Sequence, residues 1–525
     1  MENRKTKIIS VVAVVALALT VITATYAYFQ AQVGDPASAD IKVNANTVDT
    51  FTFSNGSAIS FSINQDNFAS GKGNQTGSTY ASATLTANNK TNTATEHYYL
   101  YLNIESNTFT YSINESTPEI IMTVTDSSGT EVTDISTLNH VIVTGANGAQ
   151  VSGYDITNKN GLITLFNNRK ITTTSSKEEK WNIKVTFVNY DASQNTNAGK
   201  SMSAKVMIQK EVIPQVVSDV CTNGENLATC ITTLAGKSSA SITKIYHHDA
   251  KLTNGAGDSS YRYSGANPNN YVCFGSNEST CPTDNLYRII GVFGNQVKLI
   301  KYDYATSALL GTDGDYASTG TPNASYYKGS LTTINTYYWN NSTKKNTWSE
   351  SLLNKTNLNT NFINNIGTEW ANKIATTTWK VGGNTYANIR DVIPATAYQN
   401  EIVNPVTTNT TDNATEYSAK IGLMYVSDYG FGADPSAWTT TLYNYDGSVN
   451  GSTIRSLNWM HMGYYEWTIS RSADDSNIAF FVNDGGRVDY VDVDNDIAVR
   501  PSFSLESSIT YVSGSGSASD PMVIN

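Results

Sequence analysis

Trp181-Asn-Ile-Lys-Val-Thr-Phe-Val188 carries apolar side chains at 181, 183, 185 and 187, with polar residues between them. Successive side chains of a strand point to opposite faces, so this period of two predicts a half-buried β-strand. The pattern recurs on both sides. Upstream are Phe51–Ser54, Ile59–Ile63, Tyr98–Ile104, Ile120–Val124 (closed by the turn Asp126-Ser-Ser-Gly129), His140–Val143 and Leu162–Phe166; downstream is Met202–Ile208. About eight such strands without helical patterning predict a β-sandwich of jelly-roll type over residues 30–210. A sandwich has strand edges, and these need protection, because an unpaired edge templates further pairing.

The whole chain has 525 residues, too many for one core, and two or more domains are expected. Charged residues make up 15% and the formal net charge is −11. So few Lys and Arg leave no electrostatic footprint for nucleic acid. The 32 Tyr and 36 Gly, with abundant Asn, Thr and Ser, suit wet β-rich surfaces and are poor material for long helices.

At the N-terminus a basic head, Arg4, Lys5 and Lys7, precedes an uncharged, mostly apolar run from Ile8 to Phe29. About 20 apolar residues span a bilayer as a helix, and the basic flank keeps the head in the cytoplasm. Residues 1–29 therefore read as a signal peptide or a signal anchor, contacting the membrane through residues 8–29. The long core favours retention; Thr25-Tyr-Ala27 offers a small-residue cleavage site after Ala27. Either way the remainder is expected on the extracellular face of the membrane or in the extracellular matrix. No LPxTG-type sorting motif stands near Asn525.

The junction Thr25-Tyr-Ala-Tyr-Phe29, and the closing pattern Trp181–Phe187, Gln194, Gly199-Lys200 and a last strand to Gln209, resemble the camelysin and biofilm-matrix fibre family of Gram-positive bacteria. The resemblance covers roughly Ile8 to Lys210. It implies an exported β-sandwich, and in some members fibres built by strand donation. Camelysin itself has been regarded as a metallopeptidase. This chain has no H-E-x-x-H, and His97, His140, His247, His248 and His461 show no i, i+4 pairing for one helix face. Peptidase activity is the less favoured expectation.

Pro214 ends the last strand, and 211–237 reads as a linker, with one or two helical turns at Leu227–Leu234. The cysteines fall as two local pairs, Cys221/Cys230 and Cys273/Cys281. In an exported protein such pairs predict disulfides, each stabilising by roughly 2–3 kcal/mol on the chain-entropy model. The rival is a four-thiolate zinc site, whose ligands usually come as C-x₂₋₄-C pairs.

Residues 238–525 form the second region. Asn270–Cys273, Asn285–Phe293 and Val297–Lys301 read as strands, and Trp348/Leu352/Leu353 with Phe362/Ile363/Ile366/Trp370/Ile374 as helical stripes. The ordered blocks Arg288–Val292, Ile421–Met424, Trp467–Ser470, Val499–Pro501 and Gly514–Pro521 resemble a bacterial surface domain. That domain is distantly similar to the C-type lectin and formylglycine-generating-enzyme fold. The resemblance implies an α+β module with binding loops. The generating enzyme needs a late cysteine pair, and no cysteine follows Pro282 here.

Three groups stand out in this region. Arg500, within an apolar run, is expected to be buried and paired, with Asp428 or Asp489 as partner. Trp459, His461, Tyr464, Tyr465 and Trp467 form an aromatic cluster, either core or a surface that stacks sugars. Asp492, Asp494 and Asp496 offer D-x-D-x-D oxygens suited to Ca²⁺, but lack the glycine and late Glu of an EF-hand; a solvated acidic strand face is the alternative. Asp313-Gly-Asp315 is a second acidic cluster. No other cofactor is expected. The chain thus reads as a non-catalytic surface or matrix protein acting in adhesion or surface structure. The alternative is a receptor module for a glycan or host surface protein.

Overall fold

The computed structural model describes residues 49–63, 72–88, 92–135, 137–323, 325–405, 415–446 and 454–525. The apolar run Ile8–Phe29 lies outside them. No helix among the described residues is long and apolar enough to cross a membrane. The protein is mostly β, built from several antiparallel sheets, and divides into two compact units between Val212 and Ile213.

The first unit's described strands are β1 (Thr50–Asn55), β2 (Ile59–Ser62), β3 (Gln75–Thr86), β4 (Ala94–Asn107), β5 (Ile120–Thr125), β6 (His140–Thr144), β7 (Gln150–Asp155), β8 (Gly161–Thr173), β9 (Ser176–Phe187) and β10 (Ser201–Gln209). They form a sheet of order β1-β3-β9-β5-β7-β6 and another of order β2-β10-β4-β8. The alternation of β9 works as its pattern requires. Trp181, Ile183, Val185 and Phe187 are buried, and pack in one core with Leu100, Leu102 and Ile104 of β4 and Val206 of β10.

Two of these strands lack the pattern. In β3 the inward positions are Ala81, Ala83 and Leu85, too small to mark a periodicity. In β7 Gly153, at φ 152°, lies where a Cβ would come 2.3 Å from the Met122 carbonyl oxygen. Close approach of β5 thus fixes the glycine and breaks the apolar alternation. At the outer edge, β6 exposes Ile142 at 67%.

Charge inside this unit is held in two ways. Glu179 accepts from Tyr98 Oη at 2.7 Å and Arg169 Nε at 2.9 Å, and Trp181 Nε1 donates to Tyr98 Oη at 2.8 Å. Glu119, fully buried, is held by neutral donors: Ser112 N and Oγ, Gln194 Nε2 at 2.7 Å and Asn197 Nδ2 at 2.9 Å.

In the second unit the main sheet runs Ile245–His247, Tyr261–Tyr263, Leu286–Phe293, Gln296–Lys301, Ser502–Ser504, Ile421–Gly422, with Tyr271–Cys273 also on Leu286–Phe293. A second sheet joins Glu466–Arg471, Ile478–Val482 and Val488–Asp492. The expected helical stripes bury Trp348, Leu353, Phe362, Trp370 and Ile374 in the core with Trp339 and Trp467. Leu353–Phe362 is wound as a π-helix. Its asparagines cap nearby carbonyls, as when Asn357 Nδ2 donates to Leu310 O at 2.8 Å.

The stretch read as a linker is not one beyond Val212. Val217, Leu227, Ile231 and Leu234 sit in the second unit's core. The reason is the amphipathic helix Leu227–Lys237, capped by Asn226, whose apolar face is buried. Both predicted disulfides form, Cys221–Cys230 with Cα atoms 5.5 Å apart and Cys273–Cys281 at 5.7 Å. The segment 217–237 is joined to the last residues of the chain. Leu227 N donates to Ile509 O at 3.0 Å, and Tyr511 N to Glu225 O at 2.8 Å.

Removing the Glu119 carboxylate strands several buried donors, each costing about 1–3 kcal/mol. Glu119→Ala is therefore expected to destabilise the first unit by about 3 kcal/mol. Urea unfolding of the full chain checks this; an unchanged first-unit midpoint would contradict it.

Candidate functional site

The second unit's central strand, Gln296–Lys301, is covered on both faces, yet it carries two lysines. Lys298 is 6% exposed. The register pairs Arg262 with Gly291, Gly291 with Lys298, and Lys298 with Ser504. Directly opposed residues share a face, so Arg262 and Lys298 stand on one side of the sheet with a glycine between them. A Cβ on Gly291 would lie 2.4 Å from Tyr261 O.

Two buried cations demand counter-charge. Asp428, in the first turn of the helix Val426–Gly432, supplies it. Its Oδ2 lies 2.5 Å from Lys298 Nζ and accepts from Tyr425 N at 3.0 Å; its Oδ1 lies 3.5 Å from Arg262 Nη1. Asp258 completes the group, with Arg262 Nη2 2.6 Å from its Oδ2. Burial opposes the Asp258 charge, but the Arg262 guanidinium and the Ser260 hydrogen bonds outweigh it and hold the carboxyl down at about 2. Burial pushes the Lys298 amine down, against the pull of Asp428.

Aromatic rings surround both cations. Lys298 Nζ is 4.4 Å from the Tyr425 ring centroid and 5.3 Å from that of Trp379; Arg262 Cζ is 4.7 Å from Phe293 and 5.0 Å from Phe431. All of these but Phe431 line a cleft of about 220 Å³, bordered also by Tyr398, Ser427 and Ser504. That is smaller than the roughly 300–1,000 Å³ of sites for drug-sized ligands.

Glu401 lies beside this group and is fully buried. Its Oε1 accepts from Ser427 N at 2.7 Å, and its Oε2 accepts from Ser470 Oγ. Burial raises its carboxyl to about 7, more than these donors lower it.

The residues singled out in the sequence are dispersed. Trp459, His461 and Trp467 are buried. Trp459 Nε1 donates to Tyr263 O at 2.8 Å and Trp467 Nε1 to Tyr337 O at 2.9 Å. His461 is pushed down to about 3 by burial and by Lys328, and its Nε2 is 2.9 Å from Asp484 O. Tyr465, 43% exposed, and the half-buried Tyr464 are the members that reach the surface. Trp467 fills the core because its strand, Glu466–Arg471, is buried along its whole length.

Arg500 is buried and paired, but with Glu466 rather than Asp428 or Asp489: its Nε donates to Glu466 Oε1 at 2.8 Å and its Nη2 to Met460 O at 2.6 Å. Asp428 is committed to Lys298, and Asp489 to Arg390 and Arg487. The three aspartates of the D-x-D-x-D stretch turn to separate partners. Asp492 accepts from Asn477, Asp494 pairs with Lys344 at 2.9 Å, and Asp496 accepts from Ser318 at 2.9 Å. Asp315 is taken by the backbone N–H groups of Asn341 and Leu353. Among the described residues the one group with metal-ligand spacing is Cys221, Glu225 and Cys230, and both its sulfurs are in a disulfide.

Lys298, Arg262 and Glu401 escaped the sequence reading. The available signal was a lysine inside the apolar run Val297–Ile300, facing an acidic residue inside Ile421–Tyr429.

A carboxyl raised from its ordinary value near 4.5 to about 7 binds its proton more tightly in the folded state. Its contribution to stability is full below about pH 4.5 and is lost as the pH rises to about 7. Glu401→Gln is expected to remove that fall, so that the variant loses about 3 kcal/mol less stability than wild type between pH 4 and pH 8. Denaturant midpoints from pH 4 to 8 check it; parallel curves would refute it. No protein-family model matches the chain and no curated protein is similar to it, so the chemistry of this cleft is read from its own residues.

Proposed function

We propose that the protein is an exported, non-catalytic component of a Gram-positive-type cell surface or extracellular matrix, acting in adhesion or surface structure. The observation that carries this is the local pairing of all four cysteines, Cys221–Cys230 and Cys273–Cys281. Such bridges persist in oxidising compartments outside the cytosol. The basic head and apolar run before Gln30 supply an export signal or anchor in the same sense. On this reading the first unit is a jelly-roll spacer or fibre module of the camelysin type, and the second a lectin-like module. The edge strand β6, with Ile142 exposed, supports self-association by strand exchange.

A second reading, a receptor module for a glycan or host protein, is favoured by Tyr465, an aromatic ring 43% exposed.

The test is fractionation of producing cells, with thiol alkylation and N-terminal sequencing. The expected result is protein in the membrane or medium, unreactive to alkylation until reduced. Protein starting at Tyr28 in the medium, with fibres in electron micrographs, supports the matrix form; an intact N-terminus in the membrane supports a tethered adhesin. Cytosolic protein with four free thiols would sink the proposal.

A further inference from the structure

Lys298 and Asp428 are 130 residues apart in sequence, yet Nζ and Oδ2 meet at 2.5 Å. Both side chains are nearly sealed from solvent, at 8% and 2% exposure. Regular structure holds them: Lys298 on the central strand, Asp428 in the first turn of a helix, where its Oδ2 accepts from Tyr425 N. The surroundings are apolar rings, Tyr425, Trp379 and Phe293. In such a setting the ion pair loses much of the solvation that favours it over the neutral amine and acid. An amine and a carboxylic acid held in contact, with water excluded, are the reactants of amide formation. Proximity of this kind replaces a large part of the entropic barrier.

We propose that Lys298 and Asp428 join covalently, Nζ bonding to Cγ as an amide that crosslinks the central strand to the helix Val426–Gly432. The reaction needs no other reagent. A proton passes from the ammonium to the carboxylate, giving amine and acid. The nitrogen lone pair attacks Cγ and the N–Cγ bond forms. Arg262 Nη1, 3.5 Å from Asp428 Oδ1, faces the oxygen on which negative charge develops. The Cγ–Oδ2 bond then breaks and that oxygen leaves as water, carrying its own proton and one from the nitrogen. Glu401 relays the second proton, giving its own to the leaving hydroxyl and recovering one from the amine. Its Oε1 accepts from the backbone N–H of Ser427, the residue before Asp428. Burial keeps this carboxyl protonated to about pH 7, as the relay requires. The cleft gives the water a way out.

The crosslink closes a loop that contains the paired strands Thr377–Lys380 and Glu416–Ala419 and the Glu401 segment. It would make the second unit's core resistant to pulling, whatever the protein adheres to.

The test is mass spectrometry of the purified full-length chain after reduction of its disulfides. The expected result is a mass one water below that of the sequence from the observed N-terminus. Proteolysis is then expected to leave the Lys298 peptide joined to the Asp428 peptide. Lys298→Arg and Asp428→Ala are expected at full mass. Glu401→Gln keeps the volume of its residue and is expected to fold and remain uncrosslinked. A folded wild-type chain at full mass, with the two peptides separate, overturns the proposal, as does a lost water that maps elsewhere. A crosslink that still forms in Glu401→Gln overturns the role given to Glu401.

Discussion

Arg262 and Lys298 stand on the same face of the second unit's main sheet, and neither charge can be buried there without a carboxylate between them. That requirement orders much of what surrounds them. The helix Val426–Gly432 meets it by directing Asp428 between the two cations. Docking of the helix places Ser427 N on Glu401, which fixes the Gln399–Val403 segment. The rings of Phe293, Tyr425 and Trp379 then close over the charges. Trp379 in turn needs Gly422, where a Cβ would lie 2.7 Å from the indole. Removing Asp428 alone would leave two cations without their shared partner, a larger fault than the loss of one contact.

The first unit solves a related problem with different chemistry. Glu119 has no cation and is satisfied by amides and hydroxyls, which ties the loops around Ser112 and Asn197 to one another. The Arg169–Glu179 pair lies nearer the surface, with the guanidinium stacked 4.5 Å from the Trp181 ring. Two of the Glu119 donors are themselves tied to backbone, Gln194 Nε2 to Val188 O and Asn197 Nδ2 to Thr110 O, which limits movement around the buried acid.

Much of the strand content of the first unit was legible because one face is apolar: β9, β5 and β10 announce themselves by alternation. β3 and β7 did not, because alanine and glycine on the inward face carry no hydrophobic signal even where they are buried. In the second unit the disulfides were legible from spacing, and the pairing of Arg500 from its apolar neighbours. Its partner was not, since Glu466 meets it through a parallel bridge to Ala498 that no local pattern encodes. The cleft was the least legible part. Its residues come from six separate stretches between Asp258 and Ser504, and only the sheet register brings Arg262 and Lys298 to one face. Composition left Trp459 and Trp467 as either core or a stacking surface; their indole N–H groups find backbone carbonyls in the interior.

The union of residues 217–237 with residues 509–525 has a consequence for the order of assembly. Leu227 and Ile231 share a core with Tyr511, Met522 and Ile524, so the helix that opens the second unit finds its neighbours only when the final strands arrive. A chain delivered from its N-terminal side can complete the sandwich early, from contacts within some 160 residues. The second unit must wait, holding apolar surface open until its last strands arrive. Contacts this distant in sequence make for slow folding, and partly folded intermediates of this kind aggregate readily. A cysteine bridge between positions 221 and 230 forms within a stretch short enough to close before that moment. It keeps the first helical turns in place while the remainder of the unit is still being supplied.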